Sequence, residues 1–378
     1  MMPRTRKTTK TEVEETAQAP GFASADQTYT MGQLSDDEFT SFRRISTGVV
    51  TLDFVTGGGY PRGVLTQLHG KDKSGKTALS IFAAGEALAD PNDWVLFLDS
   101  EGHLTGDFSK LVGLTDDQLR RLTVVRTSVL EDVLAIMKAA LTHDVKEIGG
   151  GKGPVAEFLS KTERPPSLII WDSVASCVAT KDYEADMAEG VGYPEAPKVL
   201  SRRLAPILAW MRQTDTPIIV TNHFRNKLTP GGGAGEQHFP GGNFLRHSHV
   251  LRLYAFRTIE KHDAMEQIGR HTVEVTKSKI SGDGMQGDFL FSTRTGYDRL
   301  EDVLSMGRAL GMVTAKGGGY NEWNGVSFRR VEFADKIGAQ IGELVESIRT
   351  TTGIPHLGGV SLDRWVERLS AGEKDTQT

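Results

Sequence analysis

The sequence predicts an α/β fold: a mostly parallel sheet flanked by helices, followed by a small α+β C-terminal domain and preceded by a disordered N-terminal arm. Three observations carry this. The near-continuous apolar runs WVLFLDS (94–100), SLIIWDS (167–173) and TPIIVTNH (216–223) each end in polar residues, as strands buried on both faces of a parallel sheet do. Helical patterns such as KTALSIFAAGEALA (76–89) alternate with these runs, and that alternation builds crossover connections. A glycine-rich loop joins a strand to a helix and fits a phosphate-binding pattern in full.

Composition bounds the rest. The chain has 378 residues, enough for one large α/β domain and a smaller one, with 38% hydrophobic and 25% charged residues, as in ordinary globular proteins. A net charge of −5 argues against coating nucleic acid by bulk positive charge, so any such site must be local, built from a few Lys and Arg residues. No apolar run approaches the ~18 residues of a membrane span. Arg4, Arg6, Lys7 and Lys10 are followed by no apolar stretch, which argues against a secretory signal. The lone cysteine, Cys177, suits a reducing compartment, and a cytoplasmic location is expected.

Along the chain, residues 1–20 are rich in Thr, Lys, Glu and Pro and bury too little to order themselves. LSDDEFTSFRR (34–44) reads as a short helix capped by Ser35, closing an arm of residues 1–44. The core is expected over 45–295. In it VLTQLHG (64–70) is a strand, while VLRLYAF (250–256) and HTVEVTKSK (271–279) alternate more and read as exposed or antiparallel strands. GGGKGP (149–154) reads as a flexible connector between a helix and a strand. TPGGGAGEQHFPGGN (229–243) follows a core strand directly, where loops carry function. A helix (YDRLEDVLSMGRALGM), a Gly/Tyr/Trp stretch and a helix near 334–349 make up the domain of 296–370, and 371–378 is a tail.

Gly70-Lys71-Asp72-Lys73-Ser74-Gly75-Lys76-Thr77 is the phosphate-binding pattern. Its backbone N–H groups wrap a β-phosphate, its glycines permit the required backbone angles, and the helix that runs on through Ala78 adds a favourable dipole. Lys76 supplies charge to the β- and γ-phosphates, and Thr77 offers a hydroxyl to Mg²⁺. This predicts ATP binding and hydrolysis. Three strand ends deliver polar residues to the same carboxyl edge. Asp172 suits Mg²⁺. Glu101 is the candidate to orient and deprotonate the attacking water. His223 is the candidate γ-phosphate sensor, leading straight into the glycine-rich loop.

At this point a family resemblance becomes visible. STGVVTLDFVTGGGYPRGVLTQLHGKDKSGKT, FLDSEG, DFSKLVGL, IIWDSVAS, IIVTNHFR, GGNFLRH and KSKISG, in this order, resemble motifs of the RecA family of DNA recombinases over roughly residues 45–295. The C-terminal segment is similar in layout. The resemblance implies a helical filament on single-stranded DNA, strand exchange with double-stranded DNA, and recombination mediators or single-strand-binding proteins as further partners. It implies that Phe108 stacks on adenine, where bacterial members usually have tyrosine. It implies that Lys277 and Lys279 reach ATP across a subunit interface. Two DNA loops are implied near 182–198 and 225–243. Lys198, Arg202 and Arg203 end the first; Arg225, Lys227 and Arg246 flank the second, whose end carries Gly241, Gly242 and Asn243. Phe224, Phe239 and Phe244 are candidates to stack on bases; for Phe224 and Phe244 anchoring the loops is the equal alternative.

Departures point to a divergent, phage-like member: His223 replaces the family's usual glutamine, the P-loop centre KDKS is more charged, and no long acidic tail is present. Phe22-Ala23-Ser24-Ala25 resembles the F-x-x-A polymerisation motif of archaeal and eukaryotic recombinases. The rival readings are a hexameric helicase on a related core and a non-catalytic, ATP-gated recombination mediator.

Overall fold

The computed structural model describes residues 43–184, 195–228, 234–238, 240–262 and 265–373. The expected arm through residue 42, including Phe22–Ala25, lies outside them, as do 185–194 of the first expected loop and 229–233 and Phe239 of the second. Arg44, expected at a helix end, instead belongs to a short strand, Arg44–Ile45, paired with Tyr60–Pro61. Its guanidinium donates to Thr56 O and Gly59 O, which holds the intervening turn against that strand.

The strands are β1 (Leu65–Gly70), β2 (Val95–Asp99), β3 (Leu122–Arg126), β4 (Leu168–Asp172), β5 (Ile218–Asn222), β6 (Leu251–His262), β7 (Gln267–Ser278), β8 (Gln286–Ser292) and β9 (Gly296–Tyr297). They form one sheet in the order β9-β8-β7-β6-β1-β5-β4-β2-β3. From β6 to β3 the neighbours pair in parallel, and beyond β6 they pair antiparallel. The parallel part follows from its apolar strands. Val95 and Phe97 enter the core on one face with Leu79 and Phe82, while Leu96 and Leu98 enter the other with Ile169 and Trp171. β7 is antiparallel as its alternation suggests; β6 pairs in parallel with β1 on one side and antiparallel with β7 on the other.

The helices that matter are α1 (Val50–Thr56), α2 (Lys76–Ala87), α3 (Gly106–Val112), α4 (Leu130–Thr142), α5 (Pro154–Lys161), α6 (Ala196–Gln213), α7 (Gly242–Ser248), α8 (Arg299–Ala309), α9 (Ile341–Thr352) and α10 (Gly359–Ser370). α2 covers one face of the sheet; α4 and α6 cover the other. GGGKGP does not run straight to a strand: it turns into α5, with Pro154 in the first turn, where a missing N–H costs nothing. The helix expected near 334–349 is broken at Gly338–Gln340, because glycine is a weak helix former. The Gly/Tyr/Trp stretch is a three-stranded antiparallel sheet, Thr314–Lys316, Tyr320–Trp323 and Val326–Arg329.

The residues after Gly296 build a third apolar cluster, around Leu304, Phe328, Phe333, Leu344 and Trp365, which also takes in Val50 of α1. Buried carboxylates bind this part to the sheet. Asp53 accepts from Ser46 Oγ (2.5 Å), Thr47 N (2.6 Å), Thr47 Oγ1 (2.7 Å) and Gly358 N (2.8 Å). Glu86 of α2 accepts from Val360 N (2.7 Å) and Ser361 N (3.1 Å) at the start of α10. Asp302 accepts from Val50 N (2.7 Å) and from the Tyr297 hydroxyl. Burial pushes Glu86 up to about 7 and Asp302 up to about 6. Among the described residues no helix is long and apolar enough to cross a membrane.

Candidate nucleotide site

β1 lies between β5 and β6, so the loop from Gly70 to Gly75 leaves from the middle of the sheet. It feeds directly into α2, whose first residue is Lys76. Lys76 is buried and its Nζ donates back to Lys71 O (3.0 Å) and Gly70 O (3.2 Å). Burial lowers its pKa, opposed by the nearby Asp172, Glu101 and Asp72 carboxylates. Thr77 Oγ1 donates to Asp172 Oδ2 (2.7 Å), and Thr221 Oγ1 to Asp172 Oδ1 (2.5 Å). Burial raises Asp172, and these hydroxyls oppose it. The two residues expected to hold Mg²⁺ therefore converge from α2 and β4. Their hard oxygen donors fit that ion. Ser74 Oγ is buried without a partner, as befits a loop shaped around a polar ligand.

β5, β4 and β2 are neighbours, so their ends meet on one edge. Glu101, just past β2, accepts from Ser173 Oγ (2.6 Å), His223 Nε2 (3.1 Å) and Ser176 Oγ (3.3 Å), all at Oε1. The His223 ring first, with the two serine hydroxyls, holds this carboxyl down to about 2 against the opposing effect of burial. His223 Nδ1 lies 2.9 Å from Asp72 Oδ1 in the loop. The cleft so formed has a volume of about 560 Å³. Asp72 to Ala78, Glu101, Phe108, Asp172 and His223, all singled out in the sequence, line it. Phe108 is placed by α3, whose N-cap Thr105 accepts from Phe108 N.

The opposite wall was not legible in the sequence. Arg257, Gln267, His271, Phe289, Phe291 and Thr293 line the cleft from β6, β7, β8 and the turn after β8. Arg257 donates to Gln267 Oε1 (3.1 Å). His271 Nδ1 donates to Ser74 O (2.9 Å), and its ring stacks on Phe289 with centroids 5.2 Å apart. Gly75 has φ +99°, and a Cβ there would lie 2.6 Å from His271 Nδ1. Gly75→Ala is therefore expected to lower the unfolding free energy by about 1–2 kcal/mol. Urea denaturation checks this, and an unchanged midpoint would mean that His271 yields at no cost.

The residues expected to hold DNA lie on α6, on a hairpin and on α7. Lys198 pairs with Glu195 at 2.8 Å, and Arg202 and Arg203 are exposed on α6. Arg225 and Lys227 lie in a hairpin strand, Arg225–Leu228, paired with Ala234–His238. Gly241 caps α7, on which Gly242, Asn243 and Arg246 follow, the last two exposed. Asn222 Nδ2 donates to Pro240 O (2.9 Å), and a Cβ on Gly242 would lie 3.1 Å from that of Pro197. The ends of both expected loops thus meet next to the residue preceding His223. Phe224 meets His69 and Tyr254 edge-on, with centroids 5.1 and 5.5 Å apart, and Phe244 packs against the core under α6. Both rings thus have protein partners, as loop anchors would, and both are half-buried. Lys277 Nζ donates to His249 O (3.2 Å), and neither it nor Lys279 lines the cleft of its own chain.

Comparison with known proteins accords with this geometry. A family model described as the RecA N-terminal domain matches residues 25–145. The RecA protein of Aquifex pyrophilus is 26% identical over 286 residues, covering 75% of this chain and 75% of that protein. The RecA protein of Sulfurovum sp. (strain NBC37-1) is 27% identical over 290 residues, 76% of each. That of Cutibacterium acnes is 26% identical over 287 residues, 75% of each. With the P-loop, the strand-end Glu101 and Asp172 and the mostly parallel sheet that joins them, these matches make the chain similar to RecA proteins over three quarters of its length.

Proposed function

We propose that this protein is a DNA-dependent ATPase that assembles into helical filaments on single-stranded DNA and carries out strand exchange with homologous duplex. The observation that most supports this is the physical tie between the two ends of the site. His223 faces Glu101, while the adjoining Asn222 holds Pro240, where the second expected DNA loop ends. In this reading a shift of His223 is passed through Asn222 to Pro240.

In this reading Lys76 and the loop amides bind the ATP phosphates, and Phe108 takes the adenine. Magnesium held by Thr77 and Asp172 would neutralise phosphate charge when bound. Glu101 is ionised at neutral pH and takes the proton of the attacking water. His223 turns a ring N–H toward the γ-phosphate, giving up its bond to Glu101. Lys277 and Lys279 of an adjoining protomer close the site, which accounts for their lying outside their own cleft. The closed interface turns the segments around 182–198 and 225–243 to the DNA, where Lys198, Arg202, Arg203, Arg225, Lys227 and Arg246 hold phosphates and Gly241, Gly242 and Asn243 let the strand approach closely. Base pairing supplies the sequence test. Recombination mediators and single-strand-binding proteins are the natural partners of such a filament in the cytoplasm.

Electron microscopy with single-stranded DNA and a slowly hydrolysed ATP analogue tests the assembly: open helical filaments are expected. Closed rings would favour a helicase instead. A protein that stays monomeric without affinity for single strands would end both readings.

A further inference from the structure

Two features of this chain, the acidic residue inside its P-loop and the histidine at the end of β5, meet directly. His223 Nδ1 lies 2.9 Å from Asp72 Oδ1, and His223 Nε2 lies 3.1 Å from Glu101 Oε1. A carboxylate oxygen only accepts, so a ring bonded to both carboxylates carries hydrogen on both nitrogens and is the imidazolium cation. An imidazole with a single partner could turn over and present either nitrogen; one with a fixed acceptor on Nδ1 cannot. The Asp72 side chain is 87% exposed, against 26% for His223. So open a pair adds little stability of its own, and its effect must lie in aiming the ring.

We infer that Asp72 is a positioning residue: it holds His223 Nδ1–H so that Nε2–H points across the cleft at Glu101 and at the space a γ-phosphate would enter. The inference rests on the ATPase reading above and deepens it. A glutamine at this position would present its amide without help, whereas a histidine needs its ring oriented. The P-loop carboxylate supplies that orientation from the element that binds the phosphates, so the sensor is aligned against the same loop as its target. Glu101 is occupied by the ring in the free protein, and the ring must leave it before Glu101 can receive water. Asp72 keeps its hold on Nδ1 through that exchange.

The test is a double-mutant cycle with Asp72→Ala, His223→Gln and the pair, read in kcat and KM for ATP with single-stranded DNA present. Asp72→Ala alone is expected to lower kcat about tenfold with KM within about twofold, and Asp72→Glu to recover most of it. In the His223→Gln background Asp72→Ala should change kcat less than about twofold, because no ring remains to be aimed. Equal losses in both backgrounds, or a loss in KM alone, would overturn the inference while leaving the ATPase reading intact. If the unmodified chain binds ATP but does not turn it over, the ATPase reading fails, and the cycle is read instead as affinity for a fluorescent ATP analogue. Coupling there keeps the Asp72–His223 pair, and additivity retires it. No binding at all overturns both.

Discussion

Glu101→Gln is expected to bind ATP and single-stranded DNA as the unmodified chain does, while releasing phosphate about 10²–10⁴-fold more slowly. The substitution is close to isosteric, and an amide oxygen can still accept from the Ser173 and Ser176 hydroxyls and from His223 that now converge on Oε1. What is lost is the capacity to take a proton. In the native chain the carboxyl is ionised throughout the neutral range; the His223 ring and the serine hydroxyls hold it at about 2. Phosphate release in steady state, beside fluorescence polarisation of a labelled oligonucleotide, separates the two quantities. Turnover close to that of the unmodified chain would remove Glu101 from the role of base, and loss of DNA binding in step with turnover would make it a structural residue.

The largest effect on stability is expected from Asp53→Ala, a loss of about 3–5 kcal/mol. Asp53 is fully buried, and its truncation would leave the Ser46 hydroxyl, the Thr47 amide and hydroxyl and the Gly358 amide without their acceptor. A buried donor stripped of its partner forfeits its full hydration. Three of those donors precede α1 and one precedes α10, so the damage extends to the junction with the C-terminal segment. Asp53→Asn keeps one acceptor oxygen and is expected to cost less than the alanine. Urea unfolding monitored by the five tryptophans measures both; an alanine variant within about 1 kcal/mol of the native chain would mean that water reaches these groups.

The near wall of the cleft was legible because each part of it is local. The P-loop is a contiguous pattern, and Glu101, Asp172 and His223 each stand at the end of an apolar run, so their meeting follows from parallel pairing alone. The far wall is different. Arg257, His271 and Phe289 come together through antiparallel register between long strands, for example His271 opposite Phe289 and Arg257, and no local pattern states a register. The contact of Asp72 with His223 is hidden for a related reason: it depends on which way a loop carboxylate leans. Phe224 and Phe244 were read as base-stacking candidates or anchors alike, since sequence shows an aromatic ring but not its neighbours. Asp53 showed only as one residue of the segment STGVVTLDFVTGGG, and its acceptor role depends on Gly358, a residue from the far end of the chain.

Strand order in the sheet also bears on divergence. β1, β5, β4 and β2 stand side by side, at the ~4.8 Å interval that peptide hydrogen bonds impose between neighbouring strands. The distances separating the P-loop, Asp172 and Glu101 are thus measured out by main chain. Side chains elsewhere in the sheet can be exchanged as long as they remain apolar, without altering that interval. A chain 26% identical to a bacterial RecA protein can therefore keep three chemical groups in register, while residues that only adjust those groups, as Asp72 does, are free to differ.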